Sequence, residues 1–192
     1  FALDLDGILA VGEIRQSVVG SKLVLQFNTE GDDAPEMTVV VNGTAGIDVS
    51  GATTRLLIGD PSVANRGNFV GYNNNGLELH GSGVKDSVLV NTVVIRNSGI
   101  GLVIGANASG TRVGDATASN LISENTYGIL IRDGASGSRV ENATVRNNAG
   151  YGVLFRGGAQ GNVISNTEVH NNGYMGIGRF ADSPKNDWSQ LS

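Results

Sequence analysis

The chain has 192 residues, of which 29 are Gly and 20 are Asn, with 16% charged residues and a net charge of −5. Three Pro and no Gly-X-Y period exclude collagen and Pro/Gly-rich disorder, and zero Cys excludes disulfides, thiolate zinc sites and cysteine nucleophiles. Thirteen scattered basic residues on an acidic chain argue against nucleic acid as a partner, and no apolar run approaches the ~20 residues of a membrane-spanning helix.

In chain order, residues 1–45 read as an N-terminal cap with irregular first strands. Asp4-Leu5-Asp6-Gly7-Ile8-Leu9-Ala10-Val11-Gly12-Glu13 matches positions three to twelve of a calcium loop, with Asp4, Asp6 and Glu13 as candidate ligands. Position one falls on Ala2, which has no side-chain oxygen, so a turn in the cap is expected rather than a metal site, and no cofactor is expected elsewhere. Residues 8–19 fit one short helix closing the end. Val18-Val19 and residues 22–27 also read as strands, residues 30–35 as a turn, and residues 38–41 as a strand before Asn42-Gly43. The chain opens on Phe1 with no leader-like segment, as expected of a processed or excised piece of something longer.

Residues 46–180 carry an internal repeat. Five segments share a Gly followed by apolar residues at alternate positions: Gly76-Leu77-Glu78-Leu79, Gly101-Leu102-Val103-Ile104, Gly128-Ile129-Leu130-Ile131, Gly152-Val153-Leu154-Phe155 and the degraded Gly176-Ile177-Gly178-Arg179. Their Gly residues are 25, 27, 24 and 24 residues apart. Upstream of each stands one Asn (Asn73, Asn97, Asn125, Asn148, Asn172), and before that another (Asn68, Asn91, Asn120, Asn142, Asn166).

A unit this short, with apolar residues alternating in runs of three to five, has strand periodicity and no room for a helix. It buries its apolar face only by stacking on copies of itself. The expected fold is all-β: a single-stranded parallel β-helix of five to six coils of ~24 residues, with neighbouring coils ~4.8 Å apart. The two Asn sets are expected to form structural ladders at the corners, because Asn tolerates left-handed backbone and its amide both donates and accepts. The tail, residues 181–192, loses the repeat and carries Pro184 and the single Trp, Trp188; it reads as a lid or the start of a linker.

The stretch from Asn142 to Leu154, and its neighbour from Asn166 to Ile177, resemble the right-handed parallel β-helix repeats of pectate-lyase-like proteins. The segments beginning Val113-Gly114-Asp115 and Ile58-Gly59-Asp60 are similar to a variant found in long secreted bacterial proteins. This resemblance, over residues 46–178, implies right-handed coils and an extracellular or cell-surface setting in bacteria or phage. It does not select a function, because the scaffold carries lyases, hydrolases, epimerases and inert stalks.

Strand alternation sends Leu77 and Leu79 inward and Glu78 and His80 outward. The column of Glu78 continues as Val103, Leu130 and Leu154, three outward apolar residues that are either covered by another part of the chain or offered to a second subunit or domain. The column of His80 brings Arg132 and Arg156 together one coil apart, a repulsion that Asp133 or a bound uronate or sulfate would relieve. Tyr127 and Tyr151 stack in the same two coils, as an aromatic pair or a sugar platform. Arg96, Glu124, Arg146 and His170 are expected to form a charge column of alternating sign. Asp133, Glu78 and His80 are the only catalytic candidates, and they do not cluster as glycoside chemistry requires.

Three functions compete. The first is a non-catalytic module of a secreted or surface-displayed protein, a stalk or adhesive surface for polysaccharide or another cell-surface glycan. The second is a polysaccharide lyase, glycoside hydrolase or uronate epimerase of the parallel β-helix type. The third is the repeat unit of a self-associating fibre, joined through Val103, Leu130 and Leu154 to itself or to neighbouring domains.

Overall fold

The computed structural model describes residues 56–58 and 68–190, together with the backbone of the strands Ala2–Leu3, Glu13–Val19, Lys22–Phe27, Met37–Asn42 and Ile47–Ser50. The described chain is a parallel β-solenoid of about five coils with no helix.

Each coil crosses three sheets in turn. The five-stranded sheet holds Asn68–Gly71, Thr92–Ile95, Asn120–Ser123, Ala143–Arg146 and Glu168–His170. After a corner the chain enters the ten-stranded sheet at Leu77–His80, Ile100–Gly105, Tyr127–Ile131, Val153–Phe155 and Ile177–Arg179. A turn then leads to short strands of the six-stranded sheet, among them Arg112–Val113, Arg139–Glu141, Val163–Ser165 and Asp187–Gln190. Within the coils every strand pair is parallel and the repeat is in register: Leu77 lies beside Leu102, then Ile129, Val153 and Ile177. Inward residues of the three sheets, including Leu79, Ile104, Val94, Ile122, Val140 and Ile164, fuse into one hydrophobic core.

The repeat Gly is required by packing. At Gly128 a Cβ would sit 2.7 Å from Val145 Cγ1 and 2.9 Å from Asn148 Nδ2, and at Gly76 it would meet Val94 and Asn97 in the same way. The corner therefore closes only if this position has no side chain.

The ladder of Asn73, Asn97, Asn125, Asn148 and Asn172 fills that corner. Asn97 Nδ2 donates to Asn125 Oδ1 at 2.9 Å, Asn125 to Asn148 at 3.1 Å, and Asn148 to Asn172 at 2.9 Å. Each Oδ1 also accepts the backbone N–H of the preceding ladder residue, as in Asn97 N–H to Asn125 at 3.0 Å, while Nδ2 bonds a strand carbonyl such as Val94. Amide and backbone requirements are thus met inside an otherwise dry interior.

The second Asn set is two columns. Asn68 and Asn120 align with Thr92, Ala143 and Thr167 on an inward strand position, where buried Asn120 donates to the Leu89 carbonyl at 2.8 Å. Asn91, Asn142 and Asn166 lie one residue earlier, with φ of 49°, 49° and 45°, and turn the corner. A further ladder joins Asn162 Nδ2 to Asn186 Oδ1 at 2.8 Å. Ser87, Thr111 and Ser138 hold its position in earlier coils, with buried hydroxyls that have no hydrogen-bond partner among the described residues.

The N-terminal region departs from expectation. Glu13–Val19 is a strand, not part of a helix, and pairs antiparallel with Lys22–Phe27, which pairs antiparallel with Met37–Asn42 and that with Ile47–Ser50. Residues 13–19 find a ready antiparallel partner in Lys22–Phe27, six residues in register from Ile14 beside Phe27 to Val19 beside Lys22, so sheet pairing outweighs local helix preference. Ile47–Ser50 then pairs parallel with Leu77–His80, so this meander extends the ten-stranded sheet. Residues 8–12 lie outside the described residues.

Candidate functional site on the outer faces

On the ten-stranded sheet the outward column is in the expected register, Glu78 beside Val103, then Leu130, Leu154 and Gly178. Val103, Leu130 and Leu154 lie outside the core cluster and yet are only 1%, 2% and 5% exposed. These side chains are sheltered within the chain itself, and a partner would reach them only after that cover moves.

Arg132 and Arg156 follow neighbouring in-register strands, and their backbone N–H groups bond the preceding coil's Ile104 and Ile131 carbonyls. The Arg132 stem lies against Gly105, 3.3 Å from where a Cβ would be, which uses the missing side chain as space. Its Nη1 pairs with Asp133 at 3.2 Å, while its buried Nε has no hydrogen-bond partner among the described residues. Asp133 holds left-handed backbone at φ 51° in the turn that follows.

Tyr127 and Tyr151 are brought together at 6.0 Å between ring centroids, tilted by 40°. Sequence reasoning missed the third member: Tyr174 meets Tyr151 edge-on at 5.0 Å, in the degraded last repeat where its Gly-Tyr-Met-Gly context hid the relation. Partial burial pushes the Tyr151 phenol up, and the neighbouring Tyr174 and Tyr127 add to the shift.

The catalytic candidates do not converge. Glu78 accepts a hydrogen bond from Asn75 Nδ2, and His80 aligns with Gly105, one coil before Arg132 and Asp133. Glu141 is bound to Arg112 at 2.8 Å and Arg139 at 3.8 Å. At Asp115 burial raises the carboxyl's pKa, but the Thr117 and Ala118 N–H groups, the Thr117 hydroxyl and nearby Arg112 outweigh it and hold it below the usual carboxylate range. Asp4 and Asp6 lie outside the described residues, and of Glu13 only the strand backbone is described. Among the described residues no three His, Asp or Glu are placed to share a metal ion.

The proposed charge column is also rearranged. Arg96 and Glu124 pair at 2.8 Å, and Arg96 reaches the Tyr72 hydroxyl at 2.8 Å. Arg146, however, aligns one position earlier with Ile95, Ser123 and His170. The corner column is Tyr72, Arg96, Glu124, Asn147 and Asn171, all left-handed at φ 54–63°.

A shallow polar groove of about 230 Å³ on the five-stranded sheet, lined by Ser119, Asn142, Ala143, Thr144, Asn166 and Glu168, was not legible in sequence, because its residues come from three coils. Comparison with protein-family models, with curated proteins and with solved structures finds no match to the chain.

Proposed function

We propose that the chain is a non-catalytic β-solenoid module of a secreted or surface-displayed protein, a stalk whose side adheres to glycans. The observation that carries this reading is the row Tyr127, Tyr151 and Tyr174 in the coils where Arg132 and Arg156 follow neighbouring in-register strands. Tyrosine rings accept the apolar faces of sugars, and a guanidinium fork accepts a carboxylate or sulfate in bidentate fashion. Dispersed carboxylates favour binding over turnover, since glycoside chemistry needs two of them facing one bond. The repeat's resemblance favours an extracellular or cell-surface setting, and among the described residues no helix is long and apolar enough to cross a membrane.

Calorimetric titration with oligogalacturonate and with heparan sulfate fragments tests it. Replacing Arg132 and Arg156 together by Ala is expected to weaken binding by about tenfold or more, equivalent to about 1.4 kcal/mol. Unchanged affinity overturns the site. Release of unsaturated uronate or reducing ends that depends on Arg132 or Asp133 establishes the enzyme instead.

A further inference from the structure

The five-stranded sheet presents a different surface. Its central outward column is in register through all five coils: Phe69, Val93, Leu121, Thr144 and Glu168. One end is apolar, with Phe69 62% exposed and Val93 and Leu121 half-buried. The other end opens into the polar groove around Thr144 and Glu168.

The groove's hydrogen-bonding groups are uncommitted. The hydroxyls of Ser119 and Thr144, the Asn166 amide and the Glu168 carboxylate make no hydrogen bond or ion pair among the described residues, and only Asn142 Nδ2 is engaged, donating to the Asp115 carbonyl at 2.7 Å. Elsewhere in the solenoid, ladder amides are spent on one another. No Lys or Arg lines the groove.

We infer that this face binds an uncharged glycan chain lengthwise. The sugar C–H faces rest on Phe69, Val93 and Leu121, and the hydroxyls of one ring enter the groove. Three features select this ligand. Sugar hydroxyls both donate and accept, which matches a mixed set of hydroxyls, an amide and a carboxylate. Successive coils are ~4.8 Å apart, close to the length of one pyranose unit, so successive sugars meet successive rungs. The Glu168 carboxylate, with no cation in the groove, repels uronates and sulfates. The groove is smaller than the ~300–1,000 Å³ of pockets that enclose drug-sized ligands, as expected where one ring of a longer chain is held. The site shares the broad premise of a glycan-binding module but lies on another sheet with the opposite charge preference, so either stands or falls without the other.

The test is an amide chemical-shift titration of the whole chain with cellohexaose, xylohexaose and mannohexaose, with oligogalacturonate run in parallel. A neutral hexasaccharide is expected to shift residues 119–121, 142–144 and 166–168, which oligogalacturonate leaves in place. The double variant Asn166→Ala/Glu168→Ala is expected to weaken that binding about tenfold; both side chains are exposed, and unshifted amides in the ladder report an intact fold. Absence of shifts there with all three hexasaccharides, or affinity unaltered in the double variant, overturns the inference. Shifts confined to residues around Arg132 and Tyr151 also overturn it, while leaving the acidic-glycan reading standing.

Discussion

A single Asn side chain in this fold makes four hydrogen bonds. Asn125 Oδ1 accepts from both the backbone and the amide of Asn97, and its Nδ2 donates to the Val94 carbonyl and to Asn148. Only an amide side chain offers both polarities at that reach, which is why Asn is over-used here. Asn125→Ala removes the one oxygen that accepts from both the backbone N–H and the amide of buried Asn97. It is expected to cost about 2–4 kcal/mol, at about 1–3 kcal/mol for each polar group left unpaired. Urea unfolding measures this, and a cost near that of an exposed-site control such as Gln160→Ala contradicts the account of the ladder. The first ladder was legible because all five of its members are Asn; the Asn162–Asn186 ladder was not, because Ser and Thr occupy its earlier rungs.

At the scale of the element, strands were legible and their register only in part. Ladder steps run 24, 28, 23 and 24 residues, so an unequal coil slides any column inferred by counting. The 28-residue coil takes up its excess partly in the Asp115–Ala118 turn, where Asp115 Oδ1 accepts from Thr117 and Ala118. This slippage moved Arg146 out of line with Glu124 and split the second Asn set. Columns anchored on the repeat Gly did not slip, because the Gly sits against the ladder itself. Gly128→Ala places a methyl against Val145, the Gly152 carbonyl and Asn148, and is expected to destabilise by about 1–3 kcal/mol through overpacking. Thermal unfolding of the variant checks this; a melting temperature equal to wild type shows that the corner has slack.

For the whole molecule, exposed large apolar side chains gather at the two ends. Among the described residues they are Leu57, Phe69 and Tyr72 towards one end and Tyr174, Met175 and Phe180 at the other. Among the described residues all three sheets have their last strand on the last coil. The position held by Leu79, Ile104, Ile131 and Phe155 in earlier coils is there Arg179. Its guanidinium lies 5.5 Å from the Trp188 ring, which stacks on Phe155 at 6.0 Å, and its Nη1 donates to the Pro184 carbonyl at 2.7 Å. Residues 187–190 add a strand to the six-stranded sheet, parallel to Val163–Ser165, with Trp188 packed against the core, and a charge at Arg179's register position discourages another coil from stacking there. Arg179→Leu restores an apolar rung and is expected to raise concentration-dependent association above the wild-type level in sedimentation velocity. Unaltered sedimentation refutes a role for Arg179 in protecting the edge. Lateral association through Leu130 meets a different obstacle: at 2% exposure, a charge placed there is buried before it repels a partner.

The sequence by itself determined the all-β solenoid, the coil length, the corner Gly and one complete Asn ladder, because each follows from a local period that any stacked coil must obey. The tertiary structure alone decided which outward residues are covered, where Asn sets split between strand and corner, how Trp188 and Arg179 close the end, and that Ser119, Thr144, Asn166 and Glu168 share a groove. Those relations join residues of different coils, and the distance between them depends on turn lengths that vary from coil to coil, so no periodicity along the chain encodes them.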